Sequence, residues 1–130
     1  MDPATLALTA AGLVAKKTLE AASGEAGKTA WQALGRIAQT IRGWFAGDQE
    51  ATETLDRLEA KPQSQARTAE LAEVLQPRLE AEPRLVAELT RLVDQAKADP
   101  QTAAFVTTIQ GNASVGKLTN IGQITGNVQL

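Results

Sequence analysis

Few residues of this 130-residue chain could carry out catalytic chemistry. The sequence has no His, no Cys and no Tyr, so the commonest general base, the thiol nucleophile and the usual soft metal ligands are absent. Catalysis would have to rest on carboxylates, Lys, Ser or Thr, and no nucleophile with a base, phosphate-binding loop or ligand cluster is recognisable. The sequence therefore predicts that the protein is not an enzyme and uses no cofactor and no metal.

The C-terminal residues have the types and spacing for a different chemistry, self-assembly through backbone hydrogen bonds. Set in sixes from residue 109, the sequence reads IQGNAS, VGKLTN, IGQITG and NVQL. The three complete hexads begin with Ile or Val and have Ala or Thr at the fifth position. The match of VGKLT at 115–119 to IGQIT at 121–125 is an internal repeat.

This hexad spacing suits a β-solenoid, in which each hexad forms one short side and Gly or Asn permits the corners. Copies stacked about 4.7–4.8 Å apart would form hydrogen bonds between their backbone amides, bury the aliphatic side chains and align the side-chain amides in ladders. A β-hairpin folded back on the helices or a disordered tail is the alternative. The predicted assembly residues are Ile109, Asn112, Val115, Gly116, Leu118, Asn120, Ile121, Gly122, Ile124, Gly126, Asn127 and Val128.

The preceding residues have helical periodicity. Asp2 and Pro3 suit the start of a first helix, and the uncharged run 4–15 is apolar on more than one side, as expected of a helix that is buried or meets lipid. After the hinge at 23–27, a second helix has one apolar stripe, in which Trp31 and Ile37 are expected to pack in the core. The apolar residues of the first helix include Leu6, Leu8, Leu13 and Val14.

Proline and serine residues divide the rest of the helical region. A short helix should end near Pro62, Ser64 should cap the next one, and Pro77 should kink or divide it. Pro83 should open the last helix, which ends at Asp99 and Pro100. No stable helix is expected after Pro100 because several glycines follow.

The sequence thus predicts an all-α fold, a four- or five-helix bundle over residues 1–100, followed by a linker over 101–108 and a β-forming amyloid signalling motif over 109–130.

Charge is distributed unevenly along the chain. Residues 1–46 carry five basic and three acidic residues, residues 47–100 carry seven and twelve, and residues 101–130 carry one basic residue. The net charge of -2 gives no reason to expect nucleic acid as a partner. The N-terminus lacks the basic start of a secretory signal, which predicts an intracellular protein. Carboxylates such as Glu70 and Glu88 are expected to be solvated.

Two parts of the sequence resemble known families. The stretch VGKLTNIGQITGNV at 115–128 resembles the short Gly- and Asn-rich amyloid signalling motifs at the ends of bacterial and fungal immune proteins, which are analogous to the RIP homotypic interaction motif. The helical region before it, with an uncharged first helix ahead of acidic helices, resembles bacterial Bell domains. These are similar to fungal HeLo and HeLo-like membrane-targeting death domains.

The resemblance implies a cell-death effector of bacterial innate immunity. A receptor with a matching motif would template the C-terminal motif into a fibril and thereby cluster or release the bundle, which permeabilises the membrane. The expected partners are other copies of the chain, this receptor and membrane lipid. The protein is expected in the cytoplasm, moving to the inner face of the cell membrane on activation.

The residues expected to meet lipid belong to two segments. The functional first helix of the family maps onto residues 4–15 here, which contain Leu6, Leu8, Leu13 and Val14. Trp44 and Phe45 fit either the core or a membrane interface. A scaffold that polymerises through the C-terminal motif without touching lipid is the alternative function.

Overall fold

The computed structural model describes residues 2–23 and 28–122, with side chains described over 2–19 and 31–111. The described residues form six α-helices and no β-strand. The helices are α1 (Pro3–Ser23), α2 (Lys28–Trp44), α3 (Gln49–Ala60), α4 (Gln65–Ala81), α5 (Pro83–Ala96) and α6 (Pro100–Gly122). Residues 24–27 of the predicted hinge and residues 123–130 of the predicted β-motif lie outside the described residues.

The helix ends follow the capping residues in the sequence. The Asp48 carboxylate accepts a hydrogen bond from the Ala51 amide at 3.1 Å, and the Ser64 hydroxyl accepts one from the Arg67 amide at 3.3 Å. Each bond satisfies an amide that the first helical turn leaves unpaired. The predicted cap at Ser64 and the predicted start at Pro83 are confirmed. Pro77 lies inside a continuous α4 and does not divide it.

Helix α1 is the centre of the bundle. It packs most extensively on α4 and also contacts α2, α3, α5 and α6. Because α1 has apolar side chains around most of its circumference, it can bury surface against helices on several sides. The uncharged run of residues 4–15 therefore lies in the core of the folded bundle. The fully buried aliphatic residues include Leu6, Leu13, Val14, Leu34, Ile37, Ile41, Leu71, Leu75 and Leu89.

The segment after Pro100 differs from the sequence prediction. The expected linker at 101–108 is part of α6, and the backbone of the hexad region is helical as far as Gly122. The expectation of no stable helix is wrong for residues 101–111, where tertiary packing outweighs the low helix propensity of threonine and valine. The side chain of Val106 is fully buried and Phe105 packs against the same core. The β-form of the motif stays a prediction.

Candidate functional site

The contact between α1 and α6 is the candidate functional site. Gly12, the one glycine of the uncharged run, faces α6. A Cβ atom added at Gly12 would overlap Cδ1 of Ile109, and it would lie 3.4 Å from Cγ1 of Ile109 and 3.7 Å from Cε2 of Phe105. The absence of a side chain at Gly12 therefore lets Ile109 approach the backbone of α1.

Three further features hold the first half of α6 on the bundle. The Asp99 carboxylate accepts hydrogen bonds from the amide of Thr102 at 2.9 Å and from its hydroxyl at 3.0 Å, which caps the helix. Val106 is fully buried. The Lys16 ammonium lies 5.2 Å from the centre of the Phe105 ring, within the range of a cation–π interaction.

The outer side of α6 has few of the features that stabilise a helix. The hydroxyls of Thr107 and Thr108 are exposed and bond to the carbonyls of the preceding turn, at 3.0 and 3.1 Å. Gly111, Gly116 and Gly122 lie within or at the end of the helix, and each glycine costs about 1 kcal/mol of helix stability relative to Ala. Over residues 100–111, where the side chains are described, α6 is thus held mainly by the side chains that contact α1.

The structure places the predicted assembly residues in one helix up to Gly122. Ile109 is half-buried in the contact with α1. From Asn112 to Gly122 the backbone is helical, but the side chains lie outside the described set. Ile124, Gly126, Asn127 and Val128 also lie outside the described residues.

The predicted membrane residues are mostly in the core of this form. Leu6, Leu13 and Val14 of α1 are fully buried, and so is Phe45, which follows α2. Leu8 and Trp44 are half-buried. None of the described helices is long and apolar enough to cross a membrane.

Phe45 is held in place by Arg78 of α4. The guanidinium lies 5.0 Å from the centre of the Phe45 ring, donates to the Trp44 carbonyl at 2.9 Å and forms a 2.6 Å ion pair with Asp48. The amide of Ala51, together with Arg78, holds the pKa of the Asp48 carboxyl below its usual range, because each stabilises the charged form. The turn containing Gly47, whose φ is 87°, is thus fixed to α4.

Sequence reasoning missed two features of these surfaces. Trp31 was expected in the core and is instead 39% exposed, because it lies in the first turn of α2 at the edge of the apolar stripe. The Lys17 ammonium lies 5.4 Å from the centre of its ring. The close approach of Ile109 to Gly12 was also missed, although a single glycine in an Ala-rich helix is a signal for close packing.

A central apolar helix, surrounded by other helices and partly covered by the segment that carries the repeat, defines an α-helical bundle with a C-terminal helical extension. The chain matches the family model of the Het-E N-terminal domain over residues 1–129 and belongs to that family. The family is HeLo-like, and its domains are cell-death and incompatibility effectors. No curated protein and no solved structure matches the chain.

Proposed function

We propose that this chain is a membrane-targeting cell-death effector of bacterial innate immunity, activated when a receptor with a matching motif templates its C-terminal motif into amyloid. The resting protein is cytoplasmic and moves to the inner face of the cell membrane on activation. Its partners are further copies of itself, the receptor and membrane lipid, and nucleic acid has no role. Membership of the Het-E N-terminal domain family supports the cell-death output.

One observation carries the proposal: Ile109, the first residue of the first predicted hexad, contacts α1 in the folded bundle. In the resting form Ile109 packs on Gly12 of α1. In the hexad register it is the first residue of the first repeat, where an aliphatic side chain would be buried in the stacked form. Because one side chain cannot occupy both places, assembly of the first hexad withdraws α6 from α1.

Withdrawal of α6 provides a route from assembly to membrane contact. The run 4–15 is uncharged, and Leu6, Leu13 and Val14 within it are fully buried at rest. We infer that removal of α6 opens this run to lipid on the side of Gly12, which is the side that α6 contacts. The bundle then exposes apolar surface that is unfavourable in water and favourable in a bilayer.

Stacking the tails also concentrates the attached bundles. Each copy in a β-stack is displaced from the next by about 4.7–4.8 Å, or by a small multiple of this distance if one copy occupies several rungs. A weak membrane affinity per copy becomes strong when many copies are linked. Assembly therefore regulates the activity, and the apolar surface of α1 is the part that acts on the membrane.

The burial of the predicted membrane residues favours a second candidate function. If α1 stays packed after assembly, the fibril would present folded bundles to other proteins and act as a scaffold that does not lyse membranes. Both functions require assembly through the C-terminal motif, and they differ in what the bundles do afterwards.

A vesicle-leakage experiment separates the two functions. The full chain is added to dye-loaded vesicles with fibrils grown from a peptide of residues 106–130, and matched samples receive the same peptide with Ile121→Asp. We expect cross-β fibrils of the unchanged peptide and dye release that depends on them. Fibrils of the full chain without dye release would establish the scaffold, and a peptide that stays disordered at high concentration would overturn templating.

A further inference from the structure

The described residues leave two large apolar side chains exposed, and both lie near the connection between α1 and α2. Leu19 near the end of α1 is 44% exposed, and Trp31 in the first turn of α2 is 39% exposed. The residues first expected to meet lipid, such as Leu6 and Phe45, are fully buried. A first contact with a surface therefore cannot use those residues while the bundle is folded.

Among the side chains that the structure describes, those with a charge near Trp31 are cationic. Helix α2 contains Lys28, Arg36 and Arg42 and no carboxylate, and the ammonium of Lys17 lies against the Trp31 ring at 5.4 Å. By contrast, α3 contains one basic and four acidic residues. The α2 side of the bundle therefore attracts an anionic surface and the α3 side repels it.

Two of these cations remain available to an external anion. Arg42 forms ion pairs with Asp56 and Glu59 of α3, at 3.0 and 2.6 Å. Among the residues with described side chains, neither Lys17 nor Arg36 forms an ion pair. Arg36 also lies on the exposed side of α2, between the exposed residues Gln32 and Gln39.

We propose that the outward face of α2 at Trp31, with Lys17 and Arg36, docks the folded domain on an anionic bilayer before α1 is released. This inference rests on the proposed membrane function and names the surface that makes the first contact. A Trp ring beside Lys or Arg is typical of side chains at the level of lipid headgroups. One Trp with a few cations gives weak, reversible binding per molecule, which clustering in a fibril strengthens.

Trp31 can report on its own docking. In the full chain with Trp44→Phe, Trp31 is the single tryptophan, so its emission is measured without seeds against vesicles of phosphatidylcholine with and without phosphatidylserine. We expect a blue shift and quenching by brominated lipid with anionic vesicles only. Each cation near an anionic surface contributes about fivefold in affinity, so Lys17→Gln and Arg36→Gln should each weaken binding by about that factor.

The matched control is Lys97→Gln, which removes an exposed lysine at the end of α5 and should leave binding unchanged. Trp31→Phe tests the ring in a variant that keeps an aromatic side chain, and thermal unfolding verifies that each variant is folded. Three results would overturn the docking surface: Trp31 emission that does not change at millimolar lipid, equal binding to neutral and anionic vesicles, or an equal loss of vesicle binding for Lys17→Gln and Lys97→Gln.

Failure of this inference is distinguishable from failure of the proposed function. Seeded dye release without any response of Trp31 in unseeded samples would refute the docking surface and retain the effector function. Unseeded docking through Trp31, followed by seeding without dye release, would support the docking surface and refute the lytic output.

Discussion

Helices α4 and α6 both pack on α1, but they do so by different means. The buried face of α4 has leucines at regular four-residue steps, Leu71, Leu75 and Leu79, and its first turn is capped by Ser64. Among the described side chains of α6, Thr102 and Val106 are fully buried and Phe105 and Ile109 partly buried, and three glycines follow within the helix. The two helices therefore contribute unequally to the stability of the bundle.

We propose that this difference lets one chain combine a stable domain with an α6 that can be displaced. The leucine side chains of α4 each bury enough apolar surface to contribute about 1.5–3 kcal/mol, and Arg78 also fixes the turn between α2 and α3. The glycines of α6 lower the cost of leaving the helix, since glycine has much backbone entropy to gain. A segment with two competing uses needs this kind of marginal stability.

The largest expected effect is on assembly. Ile121→Asp should abolish seeded fibril formation, because a carboxylate would recur at every copy in a stack with little room for solvent. Gly122→Pro should act similarly by removing a backbone donor. Amyloid-dye fluorescence and fibre diffraction measure assembly, and thermal unfolding should show an intact bundle.

Gln101→Asp is the matched control, because it adds the same charge at an exposed residue outside the hexads. Assembly of this control should be normal. If the Ile121→Asp chain assembled as readily as the control, the hexad interpretation would be wrong.

The second effect tests the comparison of α4 with α6 directly. Leu75→Ala should lower the free energy of global unfolding by about 2–5 kcal/mol, the range for truncating a fully buried leucine. Val106→Ala removes about two methyl groups, at roughly 0.8 kcal/mol each, and should act mainly on α6. Denaturant unfolding reports the global loss, and hydrogen exchange of the amides in 102–111 reports the local one. If Leu75→Ala and Val106→Ala lowered the free energy of global unfolding equally, this would contradict an α6 that can be displaced separately.

A smaller effect is expected at the glycines. Gly12→Ala should force Ile109 away from α1, reduce hydrogen-exchange protection in α6 and shorten the lag before fibrils form. Gly35→Ala in α2 meets no atom within 4 Å and should stabilise the bundle by roughly 0.5–1 kcal/mol. A lag time that responds equally to both substitutions would show that the Gly12 contact has no special role.

The smallest effect concerns pH. The pKa of Asp48 is lowered in the folded protein by the Ala51 amide and by Arg78, so its stabilising contribution is present above the usual aspartate range and is lost as pH falls through the lowered pKa. Asp48→Asn keeps an oxygen that can cap α3 but removes the charge. The variant should therefore lose less stability than the parent on acidification, as followed by thermal unfolding. A parallel loss in both proteins would assign the acid sensitivity to other groups.

The sequence predicted helices α1 to α5 better than it predicted α6, the helix that covers part of α1. Ser64 and Pro83 marked helix starts because capping and proline geometry act locally. Residues 105 and 109 of α6 lie against Gly12, almost a hundred residues away in the sequence, and no local signal in the threonines and glycines of α6 reveals such a contact. The expectation for Trp31 was wrong for a related reason: its periodicity fits the apolar stripe, but periodicity does not show whether another helix covers the ring at the start of α2.

The two groups of predicted functional residues, the hexad residues and the membrane residues, also differ in how much the sequence alone reveals. The hexad repeat is visible in the sequence because it is a pattern within one segment, and its assembly stays a prediction. The contact surface of α1 could not be found, because burial of Leu13 or Val14 depends on which helices pack around them. The membrane residues predicted from apolar character alone were therefore mostly core residues in the resting form.

The central claim is that α6 must leave α1 before the membrane is damaged. The chain has no cysteine, so Gly12→Cys with Ile109→Cys introduces one pair at the contact, which can be locked by oxidation and released by a reductant. Seeded dye release is then measured for the oxidised and reduced forms, with each single variant as a control for the substitutions. We predict no release from the oxidised form and full release after reduction, whereas equal release from both forms would contradict the claim.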